Sequence, residues 1–376
     1  MHWREFGTAG HILMSQEAGC LPTRNYQSGV FEQAEAISGE AMRESGLVVK
    51  NKACLGCTIG CGVWSRVGDL SVDGPEYETL AMLGSNCGIA RLEAVARANW
   101  LCDDLGIDTI STGNIIAFTM ECYERGIIGD EETGGLALRF GDETAYFRLM
   151  EMIARREGIG DILAEGVRQA ARHFRKGAER IAMHSKGLEQ SGYETRGGIG
   201  QVLGYAVVDR GADHNRIWSM GFFTGNRRYS PGGKAEMVKR IQCNRSAPDL
   251  MGQCRFVSYY VDFDDYATLI TAATGRPSTG QDIRRTAERV FNLTRVFNIR
   301  EGYTRADDHV PPRVFEEPVP DGPAAGHRVD RAEFEALLDE FYALSGWDRD
   351  GVPTQATLLA LDLPDVAADL EAMGRA

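Results

Sequence analysis

The sequence predicts a mainly α fold built as two helical domains, residues 1–180 and 181–376. Three observations predict it. At 376 residues the chain is long enough for two cores, because single domains run to about 100–200 residues. Apolar residues recur at helical spacing over Leu92–Cys102, Thr144–Arg156, Asp161–Arg175, Lys234–Gln242, Asp282–Phe297, Ala332–Leu344 and Thr354–Met373. The glycines at 197, 198, 200 and 204 lack the strand–glycine–helix setting of a nucleotide-binding α/β fold.

Taken in order, residues 1–50 read as a loop-rich approach, with a turn over Tyr26–Val30 and a helical pattern over Phe31–Glu44 interrupted by Gly39. The approach leads to Cys54-Leu-Gly-Cys57-Thr-Ile-Gly-Cys61, a C-x2-C-x3-C run. A cubane iron–sulfur cluster needs thiolates close together on a backbone that curls around it, and glycines at 56, 60 and 62 permit the turns. No cysteine follows until Cys87, so the fourth ligand is expected from far along the chain. In Gly74-Pro-Glu-Tyr-Glu78-Thr two carboxylates flank a tyrosine. They form either a solvated turn, or a site in which Glu78 sits in an apolar pocket with a raised pKa suited to acid–base work.

The helix over Leu92–Cys102 runs into Asp103-Asp-Leu-Gly106-Ile-Asp108, and the next helix, about Ile115–Arg125, takes its start from the Ser111, Thr112 and Asn114 region. Taken alone, this loop is a helix–turn–helix with Gly106 as C-cap and Asp108 near an N-terminus. A second loop, Ser246-Ala-Pro-Asp249-Leu-Met-Gly252-Gln253-Cys254, repeats D-x-x-G-x-(D or C) and points instead to paired ligation of something with two halves. Cys254 then becomes the expected fourth cluster ligand. The stretch from Pro311-Pro312 to Gly326, with five prolines, reads as an extended surface strap. Cys20, Cys87, Cys102, Cys122 and Cys243 read as buried small residues.

Composition narrows the function. With 43% apolar and 25% charged residues the chain is globular, and no apolar run approaches the roughly 18 residues of a membrane span. Its first residues have neither the basic start nor the apolar core of a signal peptide, so a cytoplasmic location is expected. A net charge of −13 argues against nucleic acid and suits a small-molecule substrate or a docking partner selected by local charge. Nine cysteines without a secretion signal fit reduced thiols and metal ligands.

Several stretches together carry a resemblance to a known family: Arg4-Glu-Phe-Gly-Thr-Ala-Gly, the Cys54–Cys61 run, Gly74-Pro-Glu-Tyr-Glu-Thr, Leu105-Gly-Ile-Asp-Thr-Ile-Ser-Thr-Gly-Asn, Lys186-Gly-Leu-Glu, Arg210-Gly-Ala-Asp-His-Asn-Arg, Asp249-x2-Gly-x-Cys254 and Phe297-Asn-Ile-Arg-Glu-Gly. The chain resembles the second and third domains of the tungsten-dependent aldehyde:ferredoxin oxidoreductases. The resemblance implies oxidation of aldehydes to carboxylates at a tungsten or molybdenum held by two pterins, with a [4Fe–4S] cluster passing electrons to ferredoxin. It implies cluster ligands Cys54, Cys57, Cys61 and Cys254. It makes Asp103, Gly106, Ile107, Asp108 and Thr109 the first pterin loop, and Asp249, Gly252 and Gln253 the second, with Cys254 bridging cluster and pterin. Glu78 and His214 become an acid–base pair, and Arg216 a basic residue reaching a pterin. Without the resemblance His214 reads as a satisfied loop histidine.

The chain departs from the family in four places. The family's N-terminal β-rich domain has no counterpart here, so a separate polypeptide is expected to supply it, or the chain is a remnant. Gln253 stands where leucine is usual, Gly192-Tyr-Glu-Thr-Arg replaces a proline-rich stretch, and Arg97 occupies the place of a glutamate that binds interface iron in some members. Alternatives are an iron–sulfur electron-transfer protein without the pterin metal, a dearomatising acyl-CoA reductase subunit of the same family, and, more weakly, zinc on the same four cysteines, which zinc ribbons usually arrange as two C-x2-C knuckles.

Overall fold

The computed structural model describes residues 2–219 and 225–374 and is mainly helical, as the periodicity predicts. It forms two compact units. One comprises Met1–Gly197 with Val310–Arg328, the other Gly198–His309 with Val329–Ala376. The division falls at Gly197, beyond the expected boundary near residue 180. The proline-rich strap belongs to the first unit, where Arg313, Val314 and Phe315 are buried, so it is an anchored segment and not a surface connector.

The centre of the first unit is the helix Thr109–Glu124, buried at every residue from Thr112 to Cys122. Between Thr112 and Cys122 its one charged residue is Glu121, so no polar face turns it toward solvent. It begins earlier than expected because the Asp108 carboxylate accepts the Ser111 N–H at 2.7 Å and caps it. Gly113 lets it cross the π-helical turn Leu80–Gly84, since a Cβ there would lie 2.4 Å from the Met82 carbonyl oxygen. Helices Leu92–Leu105, Glu143–Arg155 and Val167–Phe174 pack around it. The N-terminal stretch is more ordered than a loop-rich approach, with a helix over His11–Ala18.

A small antiparallel sheet, Val48–Lys52, Gly62–Val67 and Leu70–Asp73 in that order, also belongs to this unit. Only the middle strand alternates clearly, with Val63 and Ser65 buried. Val48–Lys52 exposes four of its five residues, which leaves no period-two signal to find.

In the second unit the helix Ile199–Val207 is buried throughout, and Gly204 gives Ile217 its place, a Cβ there falling 2.4 Å from the Ile217 side chain. Helix Lys234–Leu250 packs against this core helix, against Gly280–Arg300 and against Arg331–Ser345, which also meets the core helix, and Phe263–Thr274 lies on Gly280–Arg300. The C-terminal helices Gln355–Ala360 and Pro364–Ala372 close a cluster of Val296, Ile299, Leu358 and Leu370. No helix among the described residues is long and apolar enough to cross a membrane.

Candidate functional site

The Cys54–Cys61 run is the connection of a β-hairpin. Lys52 pairs with Gly62 at its base, and the Cys57 N–H donates to the Cys54 carbonyl at 3.0 Å. Gly56 and Gly60 take the left-handed region at φ 71° and 58°, which is where the loop needs glycine. From the N-terminal stretch Gly7 meets the loop, a Cβ there falling 2.5 Å from the Cys61 carbonyl oxygen.

The nine cysteines separate by exposure. Cys54, Cys57 and Cys254 are exposed and Cys61 half-buried, whereas Cys20, Cys87, Cys102, Cys122 and Cys243 are buried. Burial pushes the thiols of Cys87, Cys102 and Cys122 far up, and that of Cys243 up to about 11, so these hold their protons at neutral pH. Only the thiolate is a good metal ligand. The four cysteines that are not buried are the three of the C-x2-C-x3-C run and Cys254 of the repeated loop. Among the described residues no three His, Cys, Asp or Glu side chains are gathered tightly enough to hold a metal ion, so the loop thiols share one loop rather than one point.

The two aspartate loops have one backbone geometry. In the first unit the helix Leu92–Leu105 ends at Gly106, φ 68°, whose N–H donates to the Asp103 carbonyl while the Ile107 N–H donates to the Cys102 carbonyl. In the second, the helix Lys234–Leu250 ends before Gly252, φ 64°, whose N–H donates to the Asp249 carbonyl while the Gln253 N–H donates to the Pro248 carbonyl. Each loop then starts a new helical segment from a capping residue of nearly equal dihedrals, Asp108 at φ −71°, ψ 133° and Cys254 at φ −65°, ψ 136°. The repeat read from six residues is a repeated helix-stop, helix-start turn.

Their side chains differ. Asp103 is exposed, accepts from Asn99 Nδ2 at 3.1 Å, and is raised above the usual carboxylate range first by desolvation and then by Asp73. Thr109 accepts the Thr79 hydroxyl at 3.1 Å, which ties the first loop to the turn carrying Glu78. Asp249 is held by Arg216 at 2.7 Å and by Arg255 at 2.9 Å.

Glu76 and Glu78 do not form a solvated turn; both are half-buried. Thr8 organises this end, its hydroxyl donating to Glu76 and accepting the Tyr77 N–H at 2.9 Å. Burial raises Glu76 despite the Thr8 bond. Glu78 Oε2 accepts the Gly192 N–H at 2.6 Å. The Tyr77 hydroxyl donates to the Gly192 carbonyl at 2.5 Å, and its ring stacks on Tyr193 at 4.9 Å. Gly192 fits because a Cβ there would lie 2.9 Å from Glu78 Oε2 and 3.1 Å from the Ala81 Cβ. A proline at 192 would also remove the donor. The family resemblance marked Gly192 as a departure but not as a partner of Glu78, and Thr8 was visible only as part of a motif.

In the second unit Asp213 takes an Arg210 N–H at 2.6 Å and the Asn215 N–H at 2.8 Å. His214 is pushed down to about 4, first by burial, with Asp213 opposing and Arg245, Arg255 and Arg210 adding to the depression. The imidazole is therefore neutral at pH 7. Linkage gives the sign. The unfolded chain takes up this proton near the usual 6.5, the folded one only near 4, so stability present above 6.5 is lost as pH falls through that window, by at most about 1.4 kcal/mol per pH unit. His214→Gln is expected to flatten the fall in urea midpoint between pH 7 and 4.5; an unchanged slope would show that His214 does not titrate this way.

The family described as "Aldehyde ferredoxin oxidoreductase, domains 2 & 3" matches residues 1–363. The tungsten-containing aldehyde ferredoxin oxidoreductase of Pyrococcus furiosus is 39% identical over 92% of this chain, and that of Thermococcus kodakarensis 38% over the same share. An aliphatic sulfonate oxidoreductase, WOR-like subunit, of Pyrococcus furiosus is 30% identical over 98%. The chain spans 58% of the length of the first two relatives and 59% of the third. The fold is also that of the active site complex BamBC of benzoyl coenzyme A reductase in complex with 1,5-dienoyl-CoA, with TM-score 0.79 over 99% of this chain and 61% of that one, at 22% identity. This chain belongs to the aldehyde ferredoxin oxidoreductase family, in which it corresponds to domains 2 and 3.

Proposed function

We propose that the chain forms the helical part of a site that oxidises an aldehyde to a carboxylate at a tungsten or molybdenum bis-pterin centre, with electrons leaving through a [4Fe–4S] cluster to ferredoxin or another iron–sulfur acceptor. One observation carries the reading: two loops of one backbone geometry, each presenting an aspartate, with a carboxylate at the last position of one and an exposed thiol at the last position of the other. When bound, the metal–pterin group would accept two electrons from the substrate and the cluster would release them singly.

The residues present fit these groups by donor chemistry. Cys54, Cys57, Cys61 and Cys254 are the accessible thiols and would hold the cluster. Asp103 and Asp249 carboxylates would accept from pterin amino and ring N–H groups, with the Gly106, Ile107, Asp108, Thr109, Gly252 and Gln253 segments framing them and Arg216 steadying Asp249. Glu78, oriented by the Gly192 N–H, would take a proton from the hydroxyl of the hydrated aldehyde. Neutral His214 would donate its ring N–H to the substrate oxygen. The remaining walls would come from polypeptide beyond these residues, whether continuous with them or a separate β-rich subunit.

A second reading is favoured by Asp249 and Asp108, whose carboxylates already serve Arg216, Arg255 and the Ser111 N–H. On that reading the chain carries the cluster alone. Metal analysis with low-temperature EPR on anaerobically purified protein, produced with its β-rich counterpart, separates the two. About four irons per chain with tungsten or molybdenum, and aldehyde-dependent reduction of ferredoxin, is the expected result. Four irons without the heavier metal leaves the electron-transfer reading, and zinc without iron removes the cluster.

A further inference from the structure

The sheet that carries the Cys54–Cys61 loop buries Val63, Ser65 and Val72 on one face and, by the alternation of its strands, turns the other face to solvent. On that outer face Lys50 stands opposite Trp64 and Trp64 opposite Asp73, Arg66 stands opposite Ser71, and Lys52 stands opposite Gly62 in the pair that closes the loop. Lys50, Lys52, Arg66 and Asp73 are exposed and Trp64 is half-buried. The Lys52 ammonium pairs with Asp73 and lies 5.6 Å from the centre of the Trp64 ring. Among the described residues Lys50 and Arg66 meet no carboxylate.

Charge sets this face apart. The chain carries 54 acids against 41 lysines and arginines, yet residues 45–68 hold no acid and three cations, Lys50, Lys52 and Arg66. With Asp73 offsetting Lys52, the face keeps two unpaired positive charges around a tryptophan. Trp64 is two residues, about 7 Å, from Gly62 at the base of the cysteine loop. Within that loop Leu55 is fully exposed between Cys54 and Cys57. Such a surface fits an acidic protein through complementary potential, with Trp64 as the anchor. Size narrows the partner further. Three short strands cover a few hundred Å², far below a permanent subunit interface and in keeping with the small encounters of electron-transfer proteins.

We infer that the outer face of this sheet docks a small acidic iron–sulfur carrier, which takes its electrons at the adjoining Cys54–Cys61 loop. The inference rests on the proposed function for the electrons that move: each encounter passes one, so two encounters clear the pair released when one aldehyde becomes a carboxylate. The docking itself is read by binding, without turnover.

The test titrates the full chain, purified anaerobically with its β-rich counterpart, with a purified acidic [4Fe–4S] ferredoxin and follows association by surface plasmon resonance. Saturable binding that weakens as salt rises from about 20 to about 300 mM is expected. Lys50→Glu/Arg66→Glu should slow association about tenfold or more and flatten its salt dependence, and Trp64→Ala should weaken binding about tenfold. The same change of net charge at Arg155 and Arg172, on helices that pack on the central helix, should alter association about twofold at most. Absent binding, binding indifferent to salt, or equal slowing by the Arg155 and Arg172 changes would overturn the inference. Loss of the β-rich counterpart or of iron from Lys50→Glu/Arg66→Glu would assign the two cations to a subunit interface or to the bound cluster, and would overturn it too. Aldehyde-dependent reduction of a viologen dye, which needs no docking face, reads the proposed function separately. Dye reduction without ferredoxin binding overturns this inference and leaves that reading standing, and binding without dye reduction does the reverse.

Discussion

Arg313→Met is expected to destabilise the first unit by about 3–5 kcal/mol, read as a fall in the midpoint of its urea transition. Arg313 is fully buried, and its guanidinium meets Glu121, itself 1% exposed on the central helix, the Asn25 carbonyl and, at 2.8 Å, Glu317. Removing the cation leaves Glu121 in the interior, where an uncompensated carboxylate is far more costly than a paired one. Arg125, 2.7 Å from Glu121 and half-exposed, takes over part of the pairing, which places the loss toward the lower end. The double variant Glu121→Met/Arg313→Met leaves no buried charge and is expected to lose much less than the single one. Equal losses would mean that the strap is held by packing alone.

That ion pair also shows why the strap was misread. Five prolines predict an extended surface segment, yet Arg313 reaches a glutamate 192 residues away, and no local pattern encodes such a contact. Helix existence was legible where a helix buries one face, as Glu143–Arg155 and Gly280–Arg300 do, but breaks inside periodic runs were not. The run over Asp161–Arg175 divides at Gly166, φ 84°, and that over Thr354–Met373 divides at Asp362, φ 58°, just before Pro364. The helix expected over Lys234–Gln242 runs on to Leu250 and carries Pro248 in its last turn. At the candidate site, spacing marked the cysteines and the repeated aspartate loops because each is local. The Thr8 hydrogen bond to Glu76 spans 68 residues and the Gly192 bond to Glu78 spans 114, so only the fold brings those partners together.

The Gly192 contact leads to the largest effect expected on activity. In the metal-loaded protein Glu78→Gln should lower kcat by about 10²–10⁴, the usual contribution of a positioned acid–base group, because the amide keeps an oxygen for the Gly192 N–H but cannot take a proton. Gly192→Ala tests positioning separately. Its Cβ would stand 2.9 Å from Glu78 Oε2 and 3.1 Å from Ala81, so the carboxylate must turn away, and a misplacement of that size is expected to lower kcat about tenfold or more. Residues that act as one unit are not additive. The double variant is therefore expected to be no slower than Glu78→Gln alone, since an amide without base strength has nothing to lose by being turned. If the two losses multiply instead, Gly192 acts on the site by another route, through the Tyr77 and Tyr193 stack that holds its carbonyl, and Glu78 is not the group it positions.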